Sequence, residues 1–209
     1  MSFSNVTLFE TKIAEYFGAP YAVAVDCCTH GIELCLRYDM VGSIHVPKRT
    51  YISIPFLAKK LNLDLHWKDE SWEDYYSLGA HTRVIDAAVL WKKDSYIPHT
   101  FMCLSFQFQK HLSLGRGGMI LCDSKKESQD LKKMVYDGRH PDIPWRDQDI
   151  DTMGYHYYMT PETAQNGLDK LDDAIKTKPK KWTVKDWPDV SKMKVFNKIE
   201  GISPYLQTR

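Results

Sequence analysis

The feature that most limits how this chain can fold is the grouping of its apolar residues. Short apolar runs alternate with segments whose apolar residues recur every three or four positions. YAVAV (21–25) is a compact run suited to a strand buried on both faces, and it ends at Asp26, Cys27 and Cys28. SIHV (43–46), LDLHW (63–67), the start of RVIDAAVLW (83–91), FMCLSF (101–106) and GGMILC (117–122) are further strand-like runs. Phe9, Ile13, Tyr16 and Phe17 lie at helical spacing before a Gly18 stop. Ile32, Leu34, Cys35 and Leu36 predict a helix starting near Thr29, with Thr29 as its N-cap. Further helices are expected from Tyr51 to about Leu61 and from Ser124 to about Tyr136. Strands alternating with helices predict an α/β fold, a mostly parallel mixed sheet flanked by helices.

The pattern changes after Arg139. Six of the ten prolines and three of the six tryptophans lie beyond it, so long regular elements become fewer. One more helix is expected, with Thr160 as N-cap, Pro161 in the first turn, and Ala164, Leu168, Leu171 and Ile175 on one face. The run KTKPKK (176–181) reads as a solvated linker, and the remainder reads as a tail lying over the body or over a neighbouring subunit.

Charge and motif content exclude several functions. Lys and Arg number 28 against 27 Asp and Glu, so no basic excess is available to hold a nucleic acid backbone. The opening residues lack the basic start and apolar run of a secretory signal, and no apolar run approaches the roughly 20 residues of a membrane span. Five cysteines without a CxxC pair fit a reducing cytoplasm better than an exported protein. No metal site is expected, because the eight histidines form neither HxH nor HExxH. Asp147, Asp149 and Asp151 resemble the start of a calcium loop, but Thr152 and Tyr158 stand where glycine and glutamate are required. The glycines at 115, 117 and 118 precede a strand rather than opening a helix, so they suit a turn and not a dinucleotide loop.

In open α/β sheets ligands gather beyond the carboxyl ends of the strands. Here those ends carry a hydroxyl-bearing helix start at Cys28 and Thr29, an acid at Asp86, a hydroxyl at Ser105, and Lys110 five residues further on. Pyridoxal phosphate would suit this set, since it needs a phosphate cup, an anion for its ring nitrogen and an amine for its aldehyde.

Longer segments carry a family resemblance. FETKIAEYFGAPYAVAVDCCTHGIELCL, VPKRTYIS, VIDAA, SFQFQKHLSLGRGGMILCD and GYHYYMTPETAQNGLDKLD occur in the order found in the DegT/DnrJ/StrS group, the pyridoxal-phosphate-dependent nucleotide-sugar aminotransferases of fold type I. The similarity runs from about residue 8 to residue 175. It implies that Lys110 forms the internal Schiff base and moves protons, and that Asp86 pairs with the pyridinium nitrogen. Tyr51 would stack on the ring, while Ser105, Thr29 and the amide of Cys28 would hold the phosphate. His156 stands at the place of an asparagine that reaches the phosphate of the neighbouring subunit in the family, so a homodimer or larger homo-oligomer is implied. Cys28 stands where the family usually has glycine, and Val89 where it often has glutamine or histidine. Residues 1–175 would form the cofactor-binding large domain, and 176–209 a tail or remnant of the small domain. The implied reaction moves an amino group, with glutamate as donor, to a nucleotide-linked keto-sugar. The alternatives are a sugar dehydratase or other fold type I enzyme, although dehydratases of the family replace the lysine with histidine, and a shortened non-catalytic binding relative.

Overall fold

The structure, a computed structural model, describes residues 3–197; the last part of the expected tail, 198–209, lies outside the described residues. The first helix, α1 (Ser4–Phe17), forms on the expected face, with Phe9, Ile13 and Phe17 fully buried. Gly18 ends it in the left-handed region at φ 74°, where a side chain is disfavoured. Strands β1 (Tyr21–Val25), β2 (Ser43–Pro47) and β3 (Asp64–Lys68) alternate with helices α2 (Cys28–Tyr38) and α3 (Ser53–Leu61). Strands β4 (Tyr76–Ser77), β5 (Val84–Asp86), β6 (Phe101–Ser105) and β7 (Gly118–Cys122) follow, then α4 (Lys125–Val135) and α5 (Pro161–Lys176). The Thr160 side chain caps α5 as expected, and that of Ser124 caps α4, each accepting from the backbone N–H three residues on.

Two of the expectations shift at the helix starts. Helix α2 begins at Cys28 with Cys27 in the cap position and extended, so Thr29 lies inside the first turn and does not cap it. Helix α3 begins two residues after Tyr51, which leaves that tyrosine in the loop before the helix.

The main sheet has the order β1-β7-β6-β5-β4, and β2 pairs with β3 in parallel beside it. The His45 N–H donates to the Leu78 carbonyl at 2.7 Å and joins the two sheets. The sheet is mixed and flanked by helices, as expected. Strands β1, β5 and β6 share one direction; β7, inserted between β1 and β6, and the short edge strand β4 run the other way and make their ladders antiparallel. Asp26, Asp86 and Ser105 therefore emerge at one edge of the sheet.

The strand alternation divides the core between the two faces. Val23 and Val25 pack with α2, α3 and α4, whereas Ala22 and Ala24 pack with α1 and α5. Helices α1 and α5 approach closely at Gly167, where a Cβ would lie 2.6 Å from the Phe9 ring. Buried acids of this scaffold are matched by cations. Glu33 on α2 accepts from Arg37 at 2.9 Å and from Lys60 on α3 at 2.7 Å, and Glu10 on α1 accepts from Lys132 on α4 at 2.6 Å.

Beyond α5 the chain turns back across the body through short 3-10 turns at Val184–Asp186 and Val190–Lys192, then α6 (Lys194–Asn197). Val190 is fully buried, and its N–H donates to the Lys48 carbonyl at the end of β2 at 2.8 Å. Arg49 donates to the Trp187 carbonyl at 2.9 Å.

Candidate active site

At the edge where β1, β5 and β6 end, the structure opens a cavity of about 410 Å³. Six of the seven residues singled out in the sequence line it: Cys28, Thr29, Tyr51, Asp86, Ser105 and Lys110. Each reaches it for a local reason. Helix α2 starts directly above β7, and Gly118 permits this, since a Cβ there would meet the Cys28 nitrogen at 2.5 Å. The first turn of α2 is thereby held against the cavity. Lys110 sits in a tight turn after β6, where its N–H donates to the Gln107 carbonyl at 2.8 Å. The glycines at 115 and 117, both with positive φ, close the same loop by accepting from Phe108 and Phe106.

His156 is not brought into this chain's cavity. Its neighbours Tyr155 and Tyr157 pack against the body, while His156 itself is exposed at φ 54° and pairs with Asp137 at 2.8 Å. Tyr158 packs inward as well, so His156 alone of the run 155–158 stands exposed.

Asp86 is buried, with 5% of its surface exposed. Its Oδ2 accepts from the Tyr76 hydroxyl at 2.6 Å and its Oδ1 from the Ala88 N–H at 3.0 Å. Tyr76 in turn shares a hydrogen bond of 2.6 Å with Thr50. Among the described residues no cation lies within ion-pair distance of Asp86. Burial pushes its pKa up, and the Tyr76 and Ala88 hydrogen bonds and the charge of Lys110 only partly offset this. Burial also pushes Lys110 down, while Asp86 and Cys28 pull it up and Lys180 pushes it further down. The two groups are thus displaced toward their neutral forms.

Thr29 and Ser53 share a hydrogen bond of 2.7 Å at the helix start, and the Ser105 hydroxyl accepts from the Gln107 N–H at 3.3 Å. The Cys28 thiol is turned into the core and donates to the Cys103 carbonyl at 3.4 Å, so its side chain leaves the first amides of α2 uncrowded. Tyr51 is 55% exposed and meets the Trp187 ring edge-on at 6.1 Å. Val89 lines the cavity as an apolar wall.

At the rim, Asp26, Cys27 and His30 offer three ligand-type atoms within 4.8 Å. Both oxygens of Asp26 are already used, one by His30 and one by Arg116, each at 2.7 Å. The guanidinium makes this a poor seat for a metal cation. Although burial opposes it, hydrogen bonding to Asp26 and Cys27 raises the His30 pKa to about 9.

Sequence reasoning missed Tyr76, Thr50, Trp72, Trp182 and Trp187. Lys110 Nζ lies 4.8 Å from the Trp182 ring centre and 5.4 Å from that of Trp187. Trp187 lines the cavity, and its indole N–H is buried without an acceptor among the described residues. Two tryptophans five residues apart in a polar tail were the available signal.

A buried acid and a lysine thus line one cavity at the carboxyl edge of a mixed α/β sheet, the arrangement expected of a fold type I transferase. Comparison with known proteins agrees. A profile of the DegT/DnrJ/EryC1/StrS aminotransferase family matches residues 1–64 and 98–185, and the chain belongs to that family. No curated protein matches the sequence. Among solved structures, a sugar aminotransferase from Micromonospora echinospora has a TM-score of 0.68 at 16% identity, over 82% of this chain and 61% of that one. The 3-amino-5-hydroxybenzoic acid synthase structure has a TM-score of 0.65 at 19% identity, over 81% of this chain and 56% of its own. Spr1654 from Streptococcus pneumoniae, solved in a PLP form, has a TM-score of 0.68 at 17% identity, over 81% and 59%. The chain thus spans less than two thirds of the length of these relatives, and at such identities the likeness establishes the fold. No helix among the described residues is long and apolar enough to cross a membrane.

Proposed function

We propose that the chain is a pyridoxal-phosphate-dependent aminotransferase that moves an amino group from glutamate to a nucleotide-linked keto-sugar. The observation that carries this reading is Asp86, a buried carboxylate with neutral donors only, in the cavity that Lys110 also lines. A buried acid without a cation suits a ligand that brings one, here a protonated ring nitrogen. The amides at the start of α2, with Thr29 and Ser105, suit a phosphate.

When bound, pyridoxal phosphate supplies an aldehyde for an amine and a ring that stabilises negative charge on the adjoining carbon. The chain's own groups supply the rest. Lys110 offers an amine whose burial enlarges its neutral fraction, the form that acts as nucleophile and base. Asp86, met by a cation, is held ionised and keeps the ring nitrogen protonated. Tyr51 and Val89 provide flat and apolar walls, and the thiol of Cys28 stays out of the phosphate seat. His156, exposed on the outer side, serves a neighbouring subunit in a homodimer or larger homo-oligomer. Residues 1–175 act as the large domain, and 176–209 as a tail or remnant of the small domain. A cytoplasmic location accords with this chemistry.

The purified protein reconstituted with pyridoxal phosphate is expected to be yellow, and borohydride should fix the cofactor on Lys110. Glutamate should then convert it to its amine form, and a panel of nucleotide-linked keto-sugars should restore the starting spectrum. A sugar dehydratase would leave glutamate without effect on the spectrum. A protein that stays colourless after reconstitution defeats the proposal.

A further inference from the structure

The contact between Lys110 and the C-terminal segment has no part in the chemistry above. The Trp182 and Trp187 rings stack with centres 5.6 Å apart and planes 23° from parallel. The ammonium of Lys110 lies over both rings, at separations where the negative face of an indole attracts a cation. The rings are fixed from behind. Thr183 and Asp186 form a reciprocal capping box between them, Arg49 holds the Trp187 carbonyl, and Val190 is buried against the end of β2. Yet among the described residues the Trp187 indole N–H has no acceptor, so the seat lacks one bond that a buried indole usually makes.

We propose that Trp182 and Trp187 are positioning residues for Lys110: in the cofactor-free protein they clamp its ammonium, and uptake of pyridoxal phosphate releases it from them. The identity of the releasing ligand rests on the function proposed above. Asp86, which lines the same cavity, favours the charged, clamped form of Lys110. Lys180, 4.0 Å from the Trp182 ring centre, opposes that charge and keeps its own place on the ring when Lys110 leaves. A ligand that draws the Lys110 amine into the cavity takes it off the ring faces, so departure of the amine from the rings is what opens the clamp.

Hydrogen exchange of the turn between the two tryptophans reads the clamp directly, because the Asp186 and Trp187 amides donate to Thr183 and Val184 across it. In the cofactor-free protein, Lys110→Met should speed exchange of these amides by about three- to tenfold, and Lys110→Arg, which restores a cation over the rings, should not. Adding pyridoxal phosphate to the wild type should produce the same acceleration, while Lys110→Arg should show none. Unchanged exchange in Lys110→Met, or in the wild type with the cofactor taken up, overturns the clamp. If absorbance shows that the wild type takes up no cofactor, the proposed function fails. The cofactor-free comparison of Met and Arg variants then still decides the clamp.

Discussion

Glu33 and Asp86 are both buried carboxylates, one in the helical layer and one at the cavity, but their partners differ in kind. Glu33 is wedged between α2 and α3 with Arg37 and Lys60 on its two oxygens. Asp86 has a phenol and an amide. An ion pair settles the charge within the scaffold, whereas hydrogen bonds from neutral groups leave the cavity carboxylate short of a countercharge. Glu10, with Lys132, follows the scaffold rule. Charge is settled inside the scaffold at Glu33 and Glu10, whereas at Asp86 it meets only a phenol and an amide among the described residues.

The largest expected effect removes the cavity amine. Lys110→Ala should abolish borohydride-fixed cofactor and lower transamination by about 10²- to 10⁴-fold, measured as turnover of glutamate; residual activity near the wild-type level contradicts the assignment. The paired substitutions Asp86→Asn and Glu33→Gln break the comparison itself. Asp86→Asn should weaken cofactor binding by about 2–5 kcal/mol, some thirtyfold or more in Kd, with cofactor-free stability within about 1 kcal/mol of wild type. Glu33→Gln, which strands two partly exposed cations, should cost about 1–3 kcal/mol in urea unfolding and leave cofactor affinity unchanged. Equal behaviour of the two variants would erase the distinction. Tyr76→Phe should sharpen it, lowering cofactor affinity by about three- to tenfold through the freed Asp86 oxygen, as titration by absorbance would record.

The smallest effect concerns the rim. His30 is raised from 6.5 to about 9 in the folded protein, so its contribution to stability is complete below pH 6.5 and is lost as pH rises through about 9. Thermal melts from pH 6 to 10 should show this decline in the wild type and a flatter profile in His30→Gln.

Much of the fold was legible because apolar runs mark buried strands. The ends of β1, β5 and β6 place Asp26, Asp86 and Ser105, and the lysine loop follows the last of them. The reversed direction of β7 was not legible, since the run GMILC is equally apolar either way. Strand β4 has two residues and no apolar run of its own, so Tyr76, the neighbour that most directly holds Asp86, carried no local signal. The cap of α2 falls two residues before Thr29 because an extended cysteine with no side-chain cap, Cys27, takes the position for which Thr29 has the better capping chemistry. Trp182 and Trp187 reach Lys110 through a return of the chain that only tertiary packing specifies.

Asp86 and Lys110 line one cavity, and the proposed function has Asp86 pair there with the ring nitrogen of the cofactor. Titration of the wild type and Asp86→Asn with pyridoxal phosphate, followed by borohydride and peptide mapping, tests this most directly. The account predicts saturable uptake by the wild type with label on Lys110, and an affinity at least about thirtyfold lower in Asp86→Asn. Equal affinities, or label on another lysine, would contradict it.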